Sequence, residues 1–372
     1  MGTMLDTVVI GGGAMGSAAA WALARRGRHV TLLEQFGPGH KAGASHGTTR
    51  NFNPGYERPE YVAMLAESLA LWEDLEQESG EQLLTRTGVV NHGPDPRLPA
   101  IAEALQAAGL RAEFLDPAEA QERWQGIRFD QQVLHMPDGG QLNPERALPI
   151  MQRLAAARGA TIRHYVTVVD LAILDDGVRL TVQSPGGTEV LTAAQAIVTA
   201  GGWSTKLLGG VVRLPHLRVT QEQPAHFAVA DPAAVWPGFN HFRGTSAAYA
   251  GWHSPVYGMF TPGEGVKAGW HGAGPETDPD QRSYRSEPSQ LAALQDYARA
   301  WLPGVDAESF TEISCTYTSA VDEDFILDRV GPVVIGAGFA GHGFKFTPAV
   351  GRILADLATG NRPAPSIFAA GR

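Results

Sequence analysis

The sequence predicts an α/β fold in two domains (α+β when both are counted together). One domain is assembled from discontinuous stretches, and the other, rich in sheet, is inserted between them. Three observations predict this. Residues 7–34 read as strand, glycine turn, helix and strand. The carboxyl-terminal stretch returns to strand, glycine-rich loop and helix. Between them, residues 215–315 are rich in aromatics, His, Gly and Pro, with little helical periodicity. A length of 372 residues suits two domains of roughly 100–200 residues each.

Thr7-Val8-Val9-Ile10 is a β-branched run without a polar face, as a parallel strand covered on both sides requires. The glycines after it lead into a helix from Ser17 to Arg26 that stops at Gly27. His29–Leu33 is a second buried strand, with Glu34 at its carboxyl end. Over residues 60–78, Val62, Leu65, Leu69, Trp72 and Leu75 recur at helical spacing. Residues 83–145 read as short strands and Pro-rich turns, with one helix near 117–124. A helix from Glu145 to Arg158 and further strands follow, ending in the run Ala196–Ser204. One more helix is expected near 287–301. Pro332–Ile335 is a strand, and Thr347 to Thr359 a helix with Pro348 at its first turn and Gly360 beyond its end. The discontinuous domain is thus expected over 1–85, 145–215 and 316–372, and the inserted one over 86–144 and 216–315.

Composition narrows the function. With 29 Lys and Arg against 39 Asp and Glu the net charge is −10, which argues against nucleic acid as partner. Apolar residues are 44% and charged ones 18%, so the chain is not disordered. A single cysteine, Cys315, excludes a disulfide framework and a multi-cysteine metal site, and no metal is expected. The apolar stretch Ala14–Ala24 is broken by Gly16 and Ser17 and falls short of the ~20 residues of a membrane span. With no targeting segment evident, the expectation is a cytoplasmic protein without membrane contact.

Gly11, Gly13 and Gly16 form a GxGxxG motif between strand and helix. The first glycine permits the tight turn, the second lets a pyrophosphate approach the backbone, and the third lets helix pack on strand. Ala14 and Met15 open the helix whose amino terminus meets the phosphates. Glu34, eighteen residues past Gly16, can accept from ribose hydroxyls and disfavours a 2′-phosphate. A Rossmann-like dinucleotide site follows. The plain alternative, a glycine turn packing helix on sheet, leaves Glu34 unexplained. The motif alone leaves FAD and NAD both open.

Three further stretches carry a resemblance: Gly43-Ala44-Ser45-His46-Gly47-Thr48-Thr49-Arg50, Ile197–Ser204, and the block from Cys315-Thr316-Tyr317-Thr318 through Gly341-His342-Gly343-Phe344-Lys345-Phe346. Together the chain resembles the monomeric sarcosine oxidase family of flavoenzymes nearly end to end. The resemblance implies a Rossmann-like FAD-binding domain and oxidation of secondary amines, N-methyl or cyclic amino acids, with electrons passed to O₂. It implies that Cys315 carries FAD through a thioether to the flavin 8α-methyl. The expected partners are a small-molecule amine and O₂, with a monomer expected over an oligomer. Ser45, Thr49, Val168, Ala200, Gly201, Trp203, Gly341, Gly343 and Phe344 join the motif residues as expected FAD contacts. His46 and Arg50 flank the flavin, and Lys267 activates oxygen beside it. Lys345 binds the substrate carboxylate next to the flavin.

Tyr257 and Tyr317 are either pocket walls or structural tyrosines, and His271 lines the pocket or is a core histidine. Trp252, Phe260 and Trp270 are available, with Tyr257, to line an apolar pocket. Asn53 stands where sarcosine-oxidising relatives carry a second arginine. A neutral amide lacks the guanidinium fork, so either Arg58 or another cation substitutes, or the substrate is larger than sarcosine. The remaining alternatives are a primary-amine oxidase, a flavin dehydrogenase and a non-catalytic dinucleotide sensor, which colour and peroxide release would separate.

Overall fold

The structure, a computed structural model, describes residues 4–372. Its first strand, Leu5–Ile10, lies between two parallel neighbours, Val30–Glu34 and Gly187–Val198. Thr161–His164 and Val333–Ala337 extend the parallel order at either side. The long strand Gly187–Val198 serves two sheets' worth of partners. Its first half pairs antiparallel with Gly177–Ser184, and its last residues pair parallel with the first strand and with Val333–Ala337. Strands covered on both faces need no polar side, which is why residues 7–10 and 30–34 are apolar or buried throughout.

One face is covered by the helix Ala14–Arg25, which packs between Thr347–Thr359 and Pro144–Ala157. Its run of alanines lets these helices come close. A Cβ on Gly351 would lie 2.6 Å from Ala18. The helix starts at Ala14, three residues before the sequence expectation, because Gly13 takes the N-cap position.

The second sheet runs in the order Val305–Glu312, Ala225–Val229, Gly265–Trp270, Val256–Thr261, Gly238–His241, Val89–His92, Val133–Met136, Glu113–Leu115. Helix Pro288–Trp301 covers one face. Side chains alternate across a strand, so Val266, Ala268 and Trp270 point into that aromatic core while Lys267 and Gly269 face the other way. This corrects the expected apolar lining. Trp252 and Trp270 are core residues and Phe260 packs against them, leaving Tyr257 alone on the open face.

Two small ladders tie the sheets together: Arg50–Phe52 with Gly140–Leu142 and Leu84–Thr85, and Arg218–Glu222 with Cys315–Ser319. A helix over Leu98–Ala107 lies in the stretch read as strands and turns. Its buried residues Leu98, Ile101, Ala102 and Leu105 have helical spacing, but the prolines around its start mask the signal. Among the described residues no helix is long and apolar enough to cross a membrane.

Candidate active site

Two cavities adjoin between the sheets. The first, about 930 Å³, follows the carboxyl ends of the parallel strands. Gly11, Gly13, Ala14, Met15 and Glu34 line it at one end. Gly11 has φ of +99°, and a Cβ there would sit 2.5 Å from the Thr199 carbonyl. Glu34 is buried, accepting the backbone N–H of Gly12 on one oxygen (2.6 Å) and of Phe36 on the other (2.8 Å). Its remaining lone pairs are those a ribose would meet. Ser45 accepts from the Ala14 amide at 3.0 Å. Val168, Ala200, Gly201, Trp203, Gly341, Gly343 and Phe344 complete the wall.

Three expected cofactor contacts, Gly16, Thr49 and Lys345, stand elsewhere. Gly16 is behind the turn, where a Cβ would come within 1.8 Å of the Gly11 carbonyl, so its part is helix–strand packing. Thr49 turns its hydroxyl to Thr261 at 2.7 Å and lines neither cavity. Lys345 belongs to the second cavity, not to the first.

The second cavity, about 1040 Å³, meets the first at His46, Arg50, Cys315 and Tyr317. Lys267 is 4% exposed and donates to the Thr49 carbonyl at 2.8 Å. Arg50 donates to the same carbonyl at 2.9 Å, with its other arm on the Ala44 carbonyl. Burial, then the neighbouring Arg50, pushes the Lys267 pKa down to about 7. Cys315 is half-buried, its Sγ 3.7 Å from the Arg50 guanidinium. His46 has a buried Nε2 without a partner among the described residues, and burial and the surrounding cations lower its pKa to about 3. It is a neutral imidazole with an unmet hydrogen-bonding atom at the join of the cavities. Arg282, unmarked in the sequence reading, reaches the Lys41–Ala42 carbonyls and Ser314 beside this cluster.

Farther into the second cavity, Lys345 Nζ donates to the Tyr56 hydroxyl (2.9 Å) and the His342 carbonyl (2.8 Å), and burial lowers its pKa to about 7. An ammonium has three donors, so one is left for a ligand. Tyr317 and His271 approach at 3.4 Å. Burial lowers the His271 pKa to about 4 and pushes both the Tyr257 and Tyr317 phenols up. All three line the cavity, as does Asn53. Asn53 accepts from the Gly55 amide and contacts Asn91. Arg58 does not replace the missing cation, because it holds Asp324 with two contacts of 2.8 Å. Tyr56 and His342 carry no role in the sequence analysis, since nothing local marks a loop tyrosine or a motif histidine as a lysine's partner.

The cradle of glycine backbone, the acid at the second strand's end and the orphaned His46 nitrogen fit FAD. Gly11–Met15 and Glu34 would hold the dinucleotide, with Cys315, Arg50 and His46 at its ring end. Among the described residues no group of His, Cys, Asp and Glu is arranged for a metal ion.

The family described as FAD dependent oxidoreductase matches residues 6–357. Monomeric sarcosine oxidase of Bacillus sp. (strain NS-129) is 33% identical, over 96% of this chain and 94% of its own. N-methyl-L-tryptophan oxidase of Citrobacter koseri is 30% identical over 96% of both chains. Among solved structures, the open form of NikD, an unusual amino acid oxidase essential for nikkomycin biosynthesis, superposes with a TM-score of 0.86. It is 27% identical and spans 99% of this chain and 98% of that one.

Proposed function

The chain belongs to the family of FAD-dependent oxidoreductases and is an FAD-dependent amine oxidoreductase, and on that premise we propose that its substrate is a secondary amine bearing a carboxylate. An N-methyl or cyclic amino acid fits that description, with oxygen as final acceptor. The observation that carries the proposal is Lys345, a buried ammonium with one free donor, facing the cavity that joins the cofactor cradle at Cys315 and Arg50.

FAD, held by Gly11–Met15 and Glu34, would supply a hydride acceptor for the C–H next to the amine nitrogen and a route for the electrons to O₂. The chain's residues do the rest. A substrate carboxylate pairs with Lys345, which raises that lysine's pKa and keeps it charged. Tyr257, Tyr317 and His271 are neutral at physiological pH and supply shape and hydrogen bonds, not charge. As the hydride leaves, the nitrogen lone pair closes a C=N bond. No side-chain base is required when the amine enters unprotonated, and water then hydrolyses the imine. Lys267 and Arg50 set a positive potential at the ring end of the cradle, suited to stabilising superoxide during electron transfer to oxygen. Cys315, the one thiol and a wall of both cavities, is the proposed covalent anchor of FAD. We also keep the domain division given above, and a monomer working in the cytoplasm.

The test is a peroxide-coupled screen of purified yellow protein against N-methyl, cyclic and primary amino acids. Peroxide from the first two classes, with little from the third, is expected. Turnover restricted to primary amines would overturn the reading. Colour lost anaerobically but regained only slowly in air would point to a dehydrogenase.

A further inference from the structure

The second cavity carries a wall that the proposed reaction leaves unused. In the inserted sheet, Asn91 pairs in register with Asn240, Asn240 with Tyr257, and Tyr257 with Gly269. Directly opposed residues share a face, so the row bearing Tyr257 continues into two asparagines. Asn91 is completely buried, and its Oδ1 accepts from Asn240 Nδ2 (2.9 Å) and more loosely from Asn53 Nδ2 (3.4 Å). Its own Nδ2 has no partner among the described residues. Asn51, on the facing strand, has neither amide atom paired, and Asn240 Oδ1 meets no donor among the described residues. Asn51, Asn53 and Asn240 all line the cavity. Gly55 lets the Asn53–Tyr56 loop close on this wall, since a Cβ there would lie 2.5 Å from Asn91 Nδ2. The same loop supplies Tyr56 to Lys345, so the amide wall adjoins the carboxylate anchor. Arg58 and Arg97 line the cavity too, but each is committed to a carboxylate, Asp324 and Asp95.

Amide atoms with unmet hydrogen bonds, buried on Asn51 and half-buried on Asn240, favour a ligand that supplies them over hydrocarbon or net charge. We propose that this asparagine wall receives the substrate's side chain, and that the side chain ends in a neutral group that donates and accepts at once, a primary carboxamide. The inference rests on the reading of Lys345 as a carboxylate anchor and deepens it. A carboxamide is complementary to the wall's free Oδ1 of Asn240 and to the unpaired amide of Asn51.

The experiment measures binding, not turnover, on purified flavin-loaded protein. Three unreactive carboxylates of matched length are titrated, by calorimetry and by perturbation of the flavin absorption: succinamate, succinate and 4-methylpentanoate. Succinamate is expected to bind at least about tenfold more tightly than either of the others. Asn240→Leu should erase that margin and favour 4-methylpentanoate. Equal or tighter binding of succinate or 4-methylpentanoate by the unmodified protein overturns the asparagine wall, whether or not the leucine variant folds. The two readings fail separately. If succinamate leads but no secondary amine yields peroxide, the oxidase reading falls and the wall stands. If secondary amines are oxidised while succinamate shows no preference, the wall falls alone.

Discussion

Lys267 and Arg50 donate to one carbonyl, that of Thr49, so two cations are held side by side in a buried site. Such a pair is costly unless something negative visits it, and charge developing on oxygen during electron transfer is that visitor in the proposed reaction. Lys267→Met keeps the stem and removes the charge. Recovery of flavin colour in air should slow by roughly two orders of magnitude, about 3 kcal/mol, while anaerobic bleaching by substrate suffers much less. Because the Lys267 pKa is lowered to about 7, its charged fraction falls as pH rises through neutrality. The oxygen step should therefore decline toward alkaline pH in the parent and lose that dependence in the variant. Equal slowing of both half-reactions would make Lys267 a substrate contact or a structural group. Cys315 invites a second substitution. Its Sγ makes only long contacts, 3.7 Å to Arg50 and 3.8 Å to the Ala44 and Thr316 carbonyls, so Cys315→Ser should fold normally. Serine has no thiolate to form the tether. Flavin should stay with acid-precipitated parent protein and leave the variant, and full release from both would refute the anchor.

At the scale of elements, the glycine motif separates binding from packing. A Cβ on Gly13 would meet only the Ser45 side chain, with Oγ at 3.2 Å, beside the cavity. One on Gly16 would strike the Gly11 carbonyl at 1.8 Å and Thr199 Oγ1 at 2.6 Å. Gly13→Ala should thus weaken flavin retention with little effect on folding. Gly16→Ala should lift the helix from the strand and lower the thermal midpoint as well, at the upper end of the roughly 1–3 kcal/mol of overpacking or beyond. Gel filtration with flavin absorbance, alongside thermal melts, compares the two, and equal midpoints would contradict the division. This motif was legible because strand, turn, helix and acid are consecutive in the chain. The walls of the second cavity were not, since they come from distant strands whose facing depends on register. Trp270 and Lys267 are three apart and so point to opposite faces, and grouping Trp270 with Tyr257 by composition missed that parity. The same reason hid the row Asn91–Asn240–Tyr257, where a parallel pairing joins positions about 150 apart in sequence.

For the whole molecule, burial of titratable groups sets the response to acid. Burial lowers the pKa of His46, His92 and His342 to about 3, and of His226 and His271 to about 4. His241 is shifted the same way by burial and by His92, against whose ring it lies at 3.9 Å. A folded pKa below the ordinary value of about 6.5 means that the unfolded chain takes up protons first as pH falls. Stability from these groups is therefore fully present above about pH 6.5 and lost as pH falls from there through their folded values, down to about pH 3. His92 isolates the effect, because it sits on the core face beside Phe129 and His241, lines neither cavity, and has neither ring nitrogen hydrogen-bonded. At about pH 5 such a histidine withdraws about 2 kcal/mol of stability, from 1.36 kcal/mol per pKa unit over about 1.5 units. Leucine has a similar volume and no proton to gain. Urea melts of the parent and of His92→Leu, at about pH 7.5 and about pH 5, should show the parent losing about 2 kcal/mol more than the variant between the two conditions. The variant should be no less stable than the parent at the acid end, since it also removes an unpaired buried imidazole. An equal acid loss in both proteins would mean that His92 is hydrated or charged within the fold, and that the acid response arises at the cavities instead of the core.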